Sequence, residues 1–571
     1  MRSEMKIHGR LLSGFIQVFV LSLAAILAAP VAAQDVVRIR VEAGTRMGPN
    51  PVIWPFFGYD EPNYTYMKDG RKLLSELSAL SPTPVTVRTH NLLTTGDGTA
   101  APKWGSTNAY TEDAQGNPHY DWTIVDRIFD TYIERKMKPL VEIGFMPEAL
   151  SSRPEPYRHH WDPSLPYATI FTGWAQPPRD YGKWSELVFQ WVMHCVSRYG
   201  EKEVASWYWE VWNEPDIGYW QGTSAEYQKL YDYSADAVKR ALPAIRVGGP
   251  ASTGPASPRA AKFLHDFLEH AVSGTNYATG GKGSPLDFIT FHAKGRPKIV
   301  NGHVQMGSEF QLRDVDGGFK IVSSFPELKN LPIVISESDP EGCAACSIQS
   351  NPQNSYRNGT MYSSYTAATL AQIEELAGRD GVNLRGSLTW AFEFENQPYF
   401  AGFRDLATNG IDKPVLNVFR MLGMMDGDRV RVESSGAVPL DDFVTRGVKG
   451  APDIDAVASR GTRRISVLVW NYHDDDLSAP AAQVDLEVQD VPARRVLVRQ
   501  YRVDEAHGDS YSAWKALGSP QNPTSGQYAR LEAAGQLGTM GPPQWMDAKS
   551  GELDLKLALP RRAVSLIQLS W

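Results

Sequence analysis

This chain of 571 residues has few cysteines and a small net charge for its length. Three cysteines are too few for a disulfide scaffold, so stability must come from a buried core, which a chain of this length can supply. The formal net charge is −8 and there is no long basic run, so the sequence gives no reason to expect a nucleic-acid partner. A neutral or weakly charged substrate fits this composition better.

Long apolar runs are also scarce, and the one that is present lies at the N-terminus. Three basic residues precede an apolar run from Leu11 to about Ala29, and small residues follow it up to Ala33. This order is typical of a secretory signal, so we predict a signal peptide over residues 1–33 and a secreted or periplasmic protein with no membrane contact after cleavage. A permanent anchor is the alternative, but Gly14 and Gln17 interrupt a run that is barely long enough to span.

From Trp54 onward, short β-rich runs alternate with amphipathic helical segments such as Trp122–Arg135 and Trp184–Tyr199. Alternation of this kind predicts repeated βα units, and eight of them predict a (β/α)8 TIM barrel. The predicted strands are Trp54–Tyr59, Pro84–Thr89, Pro139–Phe145, Ser206–Trp212, Ile245–Gly249, Phe288–His292, Ile333–Glu337 and Ser387–Phe392.

After Met425 the pattern changes to alternating apolar and polar residues, which predicts a C-terminal antiparallel β-sandwich. Its predicted strands are Ile465–Tyr472, Val484–Val488, Val496–Val503, Leu553–Leu559 and Ala563–Trp571, and we expect Val36–Val41 to join them. The segment Ser519–Pro543, rich in Gly, Pro, Ser and Gln, is predicted as a loop. The predicted divisions are residues 1–33 for the signal peptide, 34–45 for the joining strand, 46–427 for the barrel and 428–571 for the sandwich.

A dense aromatic stretch, Trp207 to Trp220, ends its β-prone first half in a carboxylate. Pro215 stops the strand because proline has no N–H for the strand ladder. Glu214 therefore lies at the C-terminal end of a strand, where a parallel α/β barrel places its active-site residues. Taken alone, the glutamate of an Asn-Glu-Pro tripeptide is more often a surface carboxylate in the loop after a buried strand.

A second carboxylate, Glu337, ends the buried apolar run that begins at Leu331. Two glutamates at the ends of the fourth and seventh strands can flank one glycosidic bond. In a retaining glycosidase the two carboxyl groups stand about 5–5.5 Å apart, one as nucleophile and the other as proton donor. The pair is far more specific than either glutamate alone.

Several motifs together carry a family resemblance: Trp212-Asn213-Glu214-Pro215, Phe291-His292, Ile335-Ser336-Glu337, and Trp390-Ala391-Phe392 leading to Gly410–Pro414. From about Arg38 to Trp571 the chain resembles glycoside hydrolase family 39, which contains β-xylosidases and α-L-iduronidases. The resemblance implies that Glu214 is the acid/base, Glu337 the nucleophile, and Asn213 a hydrogen-bonding partner of the sugar. It implies no metal and no organic cofactor.

The same resemblance suggests further substrate-binding residues. Arg88 and His90 end the second strand, His292 ends the sixth, and Trp390 and Glu393 belong to the eighth. A histidine at a barrel end is as often a structural residue that orients its neighbours as it is a ligand contact. Two departures from the family pattern are present. Ala293-Lys294-Gly295 stands where the family usually has a tyrosine. The segment Glu393–Asn396 is shorter than the family's usual acidic segment, so either Glu393 or Glu395 could face the pocket.

Two loops are expected to line the site. The long loop Met146–Lys183, rich in proline and aromatic residues, is predicted to be a lid or pocket wall, with a purely structural loop as the alternative. Cys343 and Cys346 follow Glu337 closely, and in an exported protein they favour a small disulfide over free thiols. Cys195 is expected to be a buried apolar residue.

These observations predict a retaining exo-glycosidase that removes β-linked xylose from the nonreducing ends of oligosaccharides. Another specificity of the same family is the alternative, such as an α-L-iduronidase, a β-glucosidase or an arabinosidase. An iduronidase would need cationic groups for a sugar carboxylate, and Arg88 and Lys294 are the suggestive ones. A noncatalytic carbohydrate-binding protein is a further alternative, although such a protein would usually have lost one of the two glutamates. The sequence does not indicate an oligomeric state.

Overall fold

Eight parallel strand positions form the central barrel of the computed structural model, which describes residues 36–157, 173–343 and 345–571. The predicted signal peptide lies outside the described residues, and export stays a prediction. No helix within these described ranges is long and apolar enough to cross a membrane. The barrel strands are Phe56–Tyr59, Thr86–Thr89, Lys138–Ile143, Tyr208–Val211, Arg246–Ser252, Phe288–Lys294, Ile333–Asp339, and the split pair Leu384–Ser387 and Thr389–Trp390.

The eighth strand is interrupted at Leu388, and its two halves together close the barrel. Leu384–Ser387 pairs with the seventh strand, and Thr389–Trp390 pairs with the first. Each of the eight predicted strands overlaps an observed one, so the predicted (β/α)8 barrel is confirmed. The signal was strong because strands buried on both faces appear in the sequence as short apolar runs.

Helices follow the strands and cover the outside of the barrel. Thr123–Ile133 shows why they form: Val125, Ile128, Phe129 and Tyr132 recur at helical spacing and are buried against the barrel. A capping box between Thr223 and Glu226 starts another of these helices. The barrel helices are Lys68–Leu80, Thr123–Ile133, Tyr181–Tyr199, Ser224–Ala241, Pro258–Ser273, Ser308–Ser323, Thr360–Asp380 and Pro414–Gly423, with a short Glu201–Val204 turn after the third.

A second, mostly antiparallel sheet of nine strands forms the predicted β-sandwich. Val37–Pro49 lies inside it, antiparallel to Asp428–Ser434 and parallel to Ala482–Gln489. Strands from distant positions in the sheet share one core, in which Ile39 and Leu486 lie together with Val467 and Ile567. The remaining strands are Asp453–Arg460, Arg464–Tyr472, Arg495–Val503, Gln544–Asp547, Leu553–Leu559 and Val564–Ser570.

Three sandwich strands were missed: Asp428–Ser434, Asp453–Arg460 and Gln544–Asp547. The predicted loop Ser519–Pro543 was also wrong in part, because Ser525–Ala534 is a helix. A capping box between Thr524 and Gln527 starts this helix, and it was the signal that could have been found. The helix buries Leu531 and little else, so its amphipathic pattern is weak.

The barrel and the sandwich pack together within one compact unit, Val36–Trp571. Tyr365 of a barrel helix lies against Tyr472 of the sandwich, with ring centroids 5.7 Å apart. Tyr472 also stacks on Phe443, in the short helix Leu440–Arg446. The divisions at residues 33, 45 and 427 stay predictions, and the first sandwich strand continues to Pro49.

Candidate active site

Glu214 follows the fourth barrel strand in an unusual backbone conformation. Its φ is 44° and that of Trp212 is 73°, in the left-handed region that residues other than glycine seldom adopt. The backbone N–H of Glu214 donates to the carbonyl of Ala251 at 2.9 Å, and the indole N–H of Trp212 donates to the carbonyl of Tyr219 at 2.9 Å. Strain of this kind concentrates at functional sites, where surrounding contacts enforce it.

Glu337, in the seventh strand, faces Glu214 across the mouth of the barrel. A carboxylate oxygen of each and a ring nitrogen of His292 all lie within 4.8 Å of one another. His292 Nδ1 is 2.9 Å from Glu214 Oε1 and 3.8 Å from Glu337 Oε2. The two carboxylates are therefore close enough to act on the same bond of a bound substrate.

Three cations surround the Glu337 carboxylate. Lys294 Nζ is 2.7 Å from Oε2, while Arg88 Nη1 and His90 Nε2 are 3.1 Å and 3.3 Å from Oε1. Burial opposes ionisation of Glu337, but Lys294, His292 and His90 outweigh it and hold its pKa well below the usual value. Because the folded-state pKa is depressed, the stability from this ionised group is present above the unfolded-state pKa and is lost as the pH falls.

Glu214, His292 and Glu337 are residue types that can bind a metal ion, and one atom of each lies close enough to the others to do so. Lys294 already supplies positive charge directly to Glu337. A metal ion would have to compete with this ammonium group, so we assign no metal to the site.

Arg88 lies beneath the two glutamates and is fully buried. Its Nε donates to Glu210 Oε2 at 2.5 Å, and its Nη2 donates to Asn213 Oδ1 at 3.0 Å and lies 3.1 Å from Glu142 Oε2. The guanidinium thus orients the side chain beside Glu214 as well as contacting Glu337. The structure brings Arg88 and Asn213 together, and their contacts with a sugar stay predictions.

His90 is held between acidic groups. Its Nδ1 is 2.9 Å from Asp60 Oδ1, and its Nε2 is 3.2 Å from Glu142 Oε2. Burial lowers the pKa of His90, but Glu142, Asp60 and Glu337 more than offset this and raise it to about 9. Because the folded-state pKa is raised, the stability from protonated His90 is complete below the unfolded-state pKa and is lost as the pH rises through about 9.

Trp390 forms a wall beside this histidine. Its ring centroid is 4.5 Å from that of His90, and the Arg88 guanidinium lies 5.1 Å from the tryptophan ring. Its indole N–H points to Asp60 Oδ2 at 3.4 Å, and the same oxygen lies 2.7 Å from Lys103 Nζ. Trp390 therefore lies next to His90 and Arg88, and its predicted contact with a sugar stays a prediction.

The eighth-strand glutamates have partners further along the chain. Glu393 is buried and accepts a hydrogen bond from the backbone N–H of Gly410. Glu395 accepts from the backbone N–H of Asp69 at 3.0 Å. These contacts join the eighth strand to neighbouring segments, and the predicted sugar contact of Glu393 stays a prediction.

Sequence reasoning missed six charged residues that complete the site. Glu142 and Glu210 lie in register on adjacent strands, both fully buried. An ionisable residue within a buried strand was the available signal, because such a group needs a partner. The missed residues are Asp60, Lys103, Glu142, Glu210, Asp339 and Arg404.

A disulfide joins Cys343 and Cys346, whose Cα atoms are 5.5 Å apart. The favoured prediction for this pair is confirmed, and Cys195 is buried as expected. Arg404 donates to the carbonyl of Gly342 at 3.2 Å and to Asp339 Oδ2 at 2.5 Å, so this loop is fixed to the seventh strand.

The long loop predicted as a pocket wall is described at its two ends. Met146 pairs with Trp174 and Ser151 pairs with Pro178, so the ends lie side by side. Residues 158–172 lie outside the described part of the chain, and the predicted lid role is therefore left as a prediction.

A (β/α)8 barrel with paired glutamates near the C-terminal ends of its fourth and seventh strands fits a glycoside hydrolase. Residues 87–545 match the model of the family described as Glycosyl hydrolases family 39. The chain belongs to this family.

The similar proteins have more than one activity. A β-xylosidase of Geobacillus stearothermophilus is 28% identical over 80% of this chain and 82% of its own length. An α-L-iduronidase of Mus musculus is 26% identical over 89% of this chain and 77% of its own. The crystal structure of a monomeric β-xylosidase from Caulobacter crescentus CB15 shares the fold with a TM-score of 0.71 and 22% identity, covering 93% of this chain and 99% of that one.

Replacing Lys294 should move the acid limb of the pH–rate profile. In Lys294→Met the cation closest to Glu337 is lost, so the pKa of that carboxyl should rise and kcat/KM for a neutral aryl glycoside should begin to fall at a higher pH than in the wild type. Lys298→Met is the matched control, because Lys298 is exposed in the neighbouring segment. An acid limb that stays in place in Lys294→Met would contradict the proposed electrostatic link.

Proposed function

We propose that this glycoside hydrolase is a retaining exo-glycosidase that removes β-linked xylose from the nonreducing ends of oligosaccharides. The observation that carries the proposal is the approach of Glu214 and Glu337 to within 4.8 Å at the barrel mouth. This spacing is close to the separation of about 5–5.5 Å typical of retaining enzymes and shorter than the about 6.5–9.5 Å of inverting ones.

In the first step Glu337 attacks the anomeric carbon while the bond to the leaving oxygen breaks and Glu214 gives that oxygen a proton. Glu337 is suited to attack because its surrounding cations keep it ionised. The result is a covalent glycosyl-enzyme through Glu337 and a released alcohol.

In the second step Glu214, now a carboxylate, takes a proton from water as that water attacks the anomeric carbon. The ester bond to Glu337 breaks and the sugar leaves with its original configuration. His292 contacts Glu214 at 2.9 Å, so it can hold this carboxyl group in place through both steps.

Xylose is the proposed sugar because of the similarity to the Geobacillus β-xylosidase. The alignment covers 80% of this chain and 82% of that enzyme, so the two proteins correspond over most of their lengths. Within the site we propose that Asn213 and Arg88 bind the hydroxyl next to the reacting carbon. His90 and Trp390 would form the wall opposite, with His292 and Glu393 as further contacts.

A second candidate is an exo-glycosidase for a uronic acid, which Lys294 suggests because such a sugar needs a cationic partner. This ammonium group is partly exposed at 17% and lies at the predicted pocket, where a sugar carboxylate could reach it. The α-L-iduronidase of Mus musculus covers 89% of this chain, which supports keeping this candidate.

A panel of aryl glycosides should separate these candidates. We expect the aryl β-xyloside to have the highest kcat/KM, with the α-L-iduronide, β-glucoside and α-L-arabinoside hydrolysed more slowly. If kcat/KM were higher for the iduronide than for the xyloside, the proposed substrate would be a uronic acid instead of xylose. Binding of xylo-oligosaccharides without turnover of any aryl glycoside would instead indicate a noncatalytic binding protein.

Removing the proposed nucleophile should abolish turnover in a way that a small anion can rescue. Glu337→Ala should lose nearly all activity, and added azide should restore release of the aryl group by forming a glycosyl azide of inverted configuration, since azide fills the space of the carboxylate. NMR spectroscopy of the product identifies the configuration. Glu327→Ala, at an exposed site, is the control and should keep wild-type activity. Near-normal activity of Glu337→Ala without azide would contradict the assignment.

Removing the proposed acid/base should separate substrates by their leaving groups. Glu214→Ala should lose most activity on substrates with poor leaving groups, while activated aryl xylosides need little protonation and still form the glycosyl-enzyme. Hydrolysis should then stall, because no base activates water, and a burst of aryl alcohol should precede a slow steady state. Stopped-flow absorbance measures this burst. Equal loss for both classes, with no burst, would show that Glu214 has another role.

A further inference from the structure

Two cations and three carboxylates lie buried together at the proposed reaction centre, and one of the carboxylates is the proposed nucleophile. The cations are Arg88 and His90, and the carboxylates come from three strands, as Glu142, Glu210 and Glu337. Glu337 has a further cation of its own, since Lys294 Nζ lies 2.7 Å from it. Among the described residues, the cations that contact Glu142 and Glu210 are Arg88 and His90, and both are shared with Glu337. A buried carboxylate that shares its cations is costly to ionise unless hydrogen-bond donors point at it.

The hydrogen bonds single out Glu142. Glu210 and Glu337 each accept a hydrogen bond from Arg88, at 2.5 Å and 3.1 Å. Within the described part of the chain, neither oxygen of Glu142 has a hydrogen-bond partner, although Oε2 lies 3.1 Å from Arg88 Nη2 and 3.2 Å from His90 Nε2. Glu142 thus has electrostatic attraction without aligned donors, and it is the least stabilised of the three as an anion.

Glu142 faces the same two cations as the proposed nucleophile. Arg88 contacts both Glu142 and Glu337, and so does His90. When Glu142 carries a negative charge, Arg88 and His90 are shared between two anions, and less of the negative charge on Glu337 is neutralised. It also favours any step in which Glu337 loses its own negative charge, as it does on forming the glycosyl ester.

We propose that Glu142 is a positioning residue that acts through Arg88 and His90 and makes Glu337 a faster nucleophile when Glu142 is ionised. This inference rests on the proposed roles of Glu214 and Glu337. Burial raises the pKa of Glu142, His90 and Arg88 oppose this, and Glu210 and Glu337 add to it, so that its pKa is about 7. The charge on Glu142 therefore changes within the neutral range.

The test uses Glu214→Ala, in which the acid/base no longer contributes to the pH profile, with an activated dinitrophenyl β-xyloside. The burst rate reports formation of the glycosyl-enzyme. We expect it to rise severalfold through an inflection near the pKa of about 7. In Glu214→Ala/Glu142→Gln the inflection should vanish and the rate should stay at the low-pH level. A loss of structure alone would lower the rate without removing an inflection.

Glu61→Gln in the same background is the matched control. Glu61 is as fully buried as Glu142, and its pKa is also raised, to about 8, but its carboxylate accepts from the backbone N–H of Lys103 at 2.6 Å. The inflection should persist in this variant. An inflection that is lost in the Glu61 variant and kept in the Glu142 variant would overturn the proposal.

Further outcomes separate this inference from the proposed function. A burst whose rate is flat across neutral pH, or whose inflection survives Glu142→Gln, overturns the role of Glu142 alone. No burst at any pH overturns the roles of Glu214 and Glu337 and this inference with them. If Glu142→Gln does not fold, Glu142→Asp decides: it keeps a titrating group but withdraws it from Arg88 and His90, so an inflection of unreduced amplitude would overturn the proposal.

Discussion

The buried guanidinium of Arg88 is the interaction on which this site depends. A full charge without access to water costs several kcal/mol unless partners surround it. Those partners, Glu142, Glu210 and Glu337, come from three different strands, so the charge can be accommodated only in the closed barrel. The same contacts that allow Arg88 to be buried also fix Glu337 and orient Asn213. The contacts that make burial of Arg88 possible are therefore the same contacts that set the geometry of the site.

The fold could be predicted where burial leaves a strong pattern. All eight barrel strands were found because most are short, largely buried runs that alternate with amphipathic helical segments along the chain. Prediction failed where an element buries little: Gln544–Asp547 is a mostly exposed edge strand, and Ser525–Ala534 buries mainly Leu531. Such elements are held by pairing and capping rather than by an apolar face, and only the capping signal is visible in the sequence.

The candidate site divides in a similar way. Glu214 and Glu337 could be predicted because each lies near the C-terminal end of a strand, and the barrel brings these strand ends together. Glu142 and Glu210 could not be placed, since their importance depends on sheet register: they become neighbours only when the third and fourth strands pair. Lys294 was visible as a departure from the family pattern, but its contact with Glu337 depends on how the sixth and seventh strands align.

The surroundings of Lys294 also bear on which sugar the pocket prefers. Its ammonium group is bonded to Asp339 as well as to Glu337, so two carboxylates already balance its single charge. Asp339 is in turn held by Arg404, which fixes it in place. A sugar carboxylate would have to approach Lys294 against the field of Glu337 and draw it away from a fixed partner. A neutral sugar meets no such opposition, so this part of the site agrees with the proposal of xylose rather than of a uronic acid.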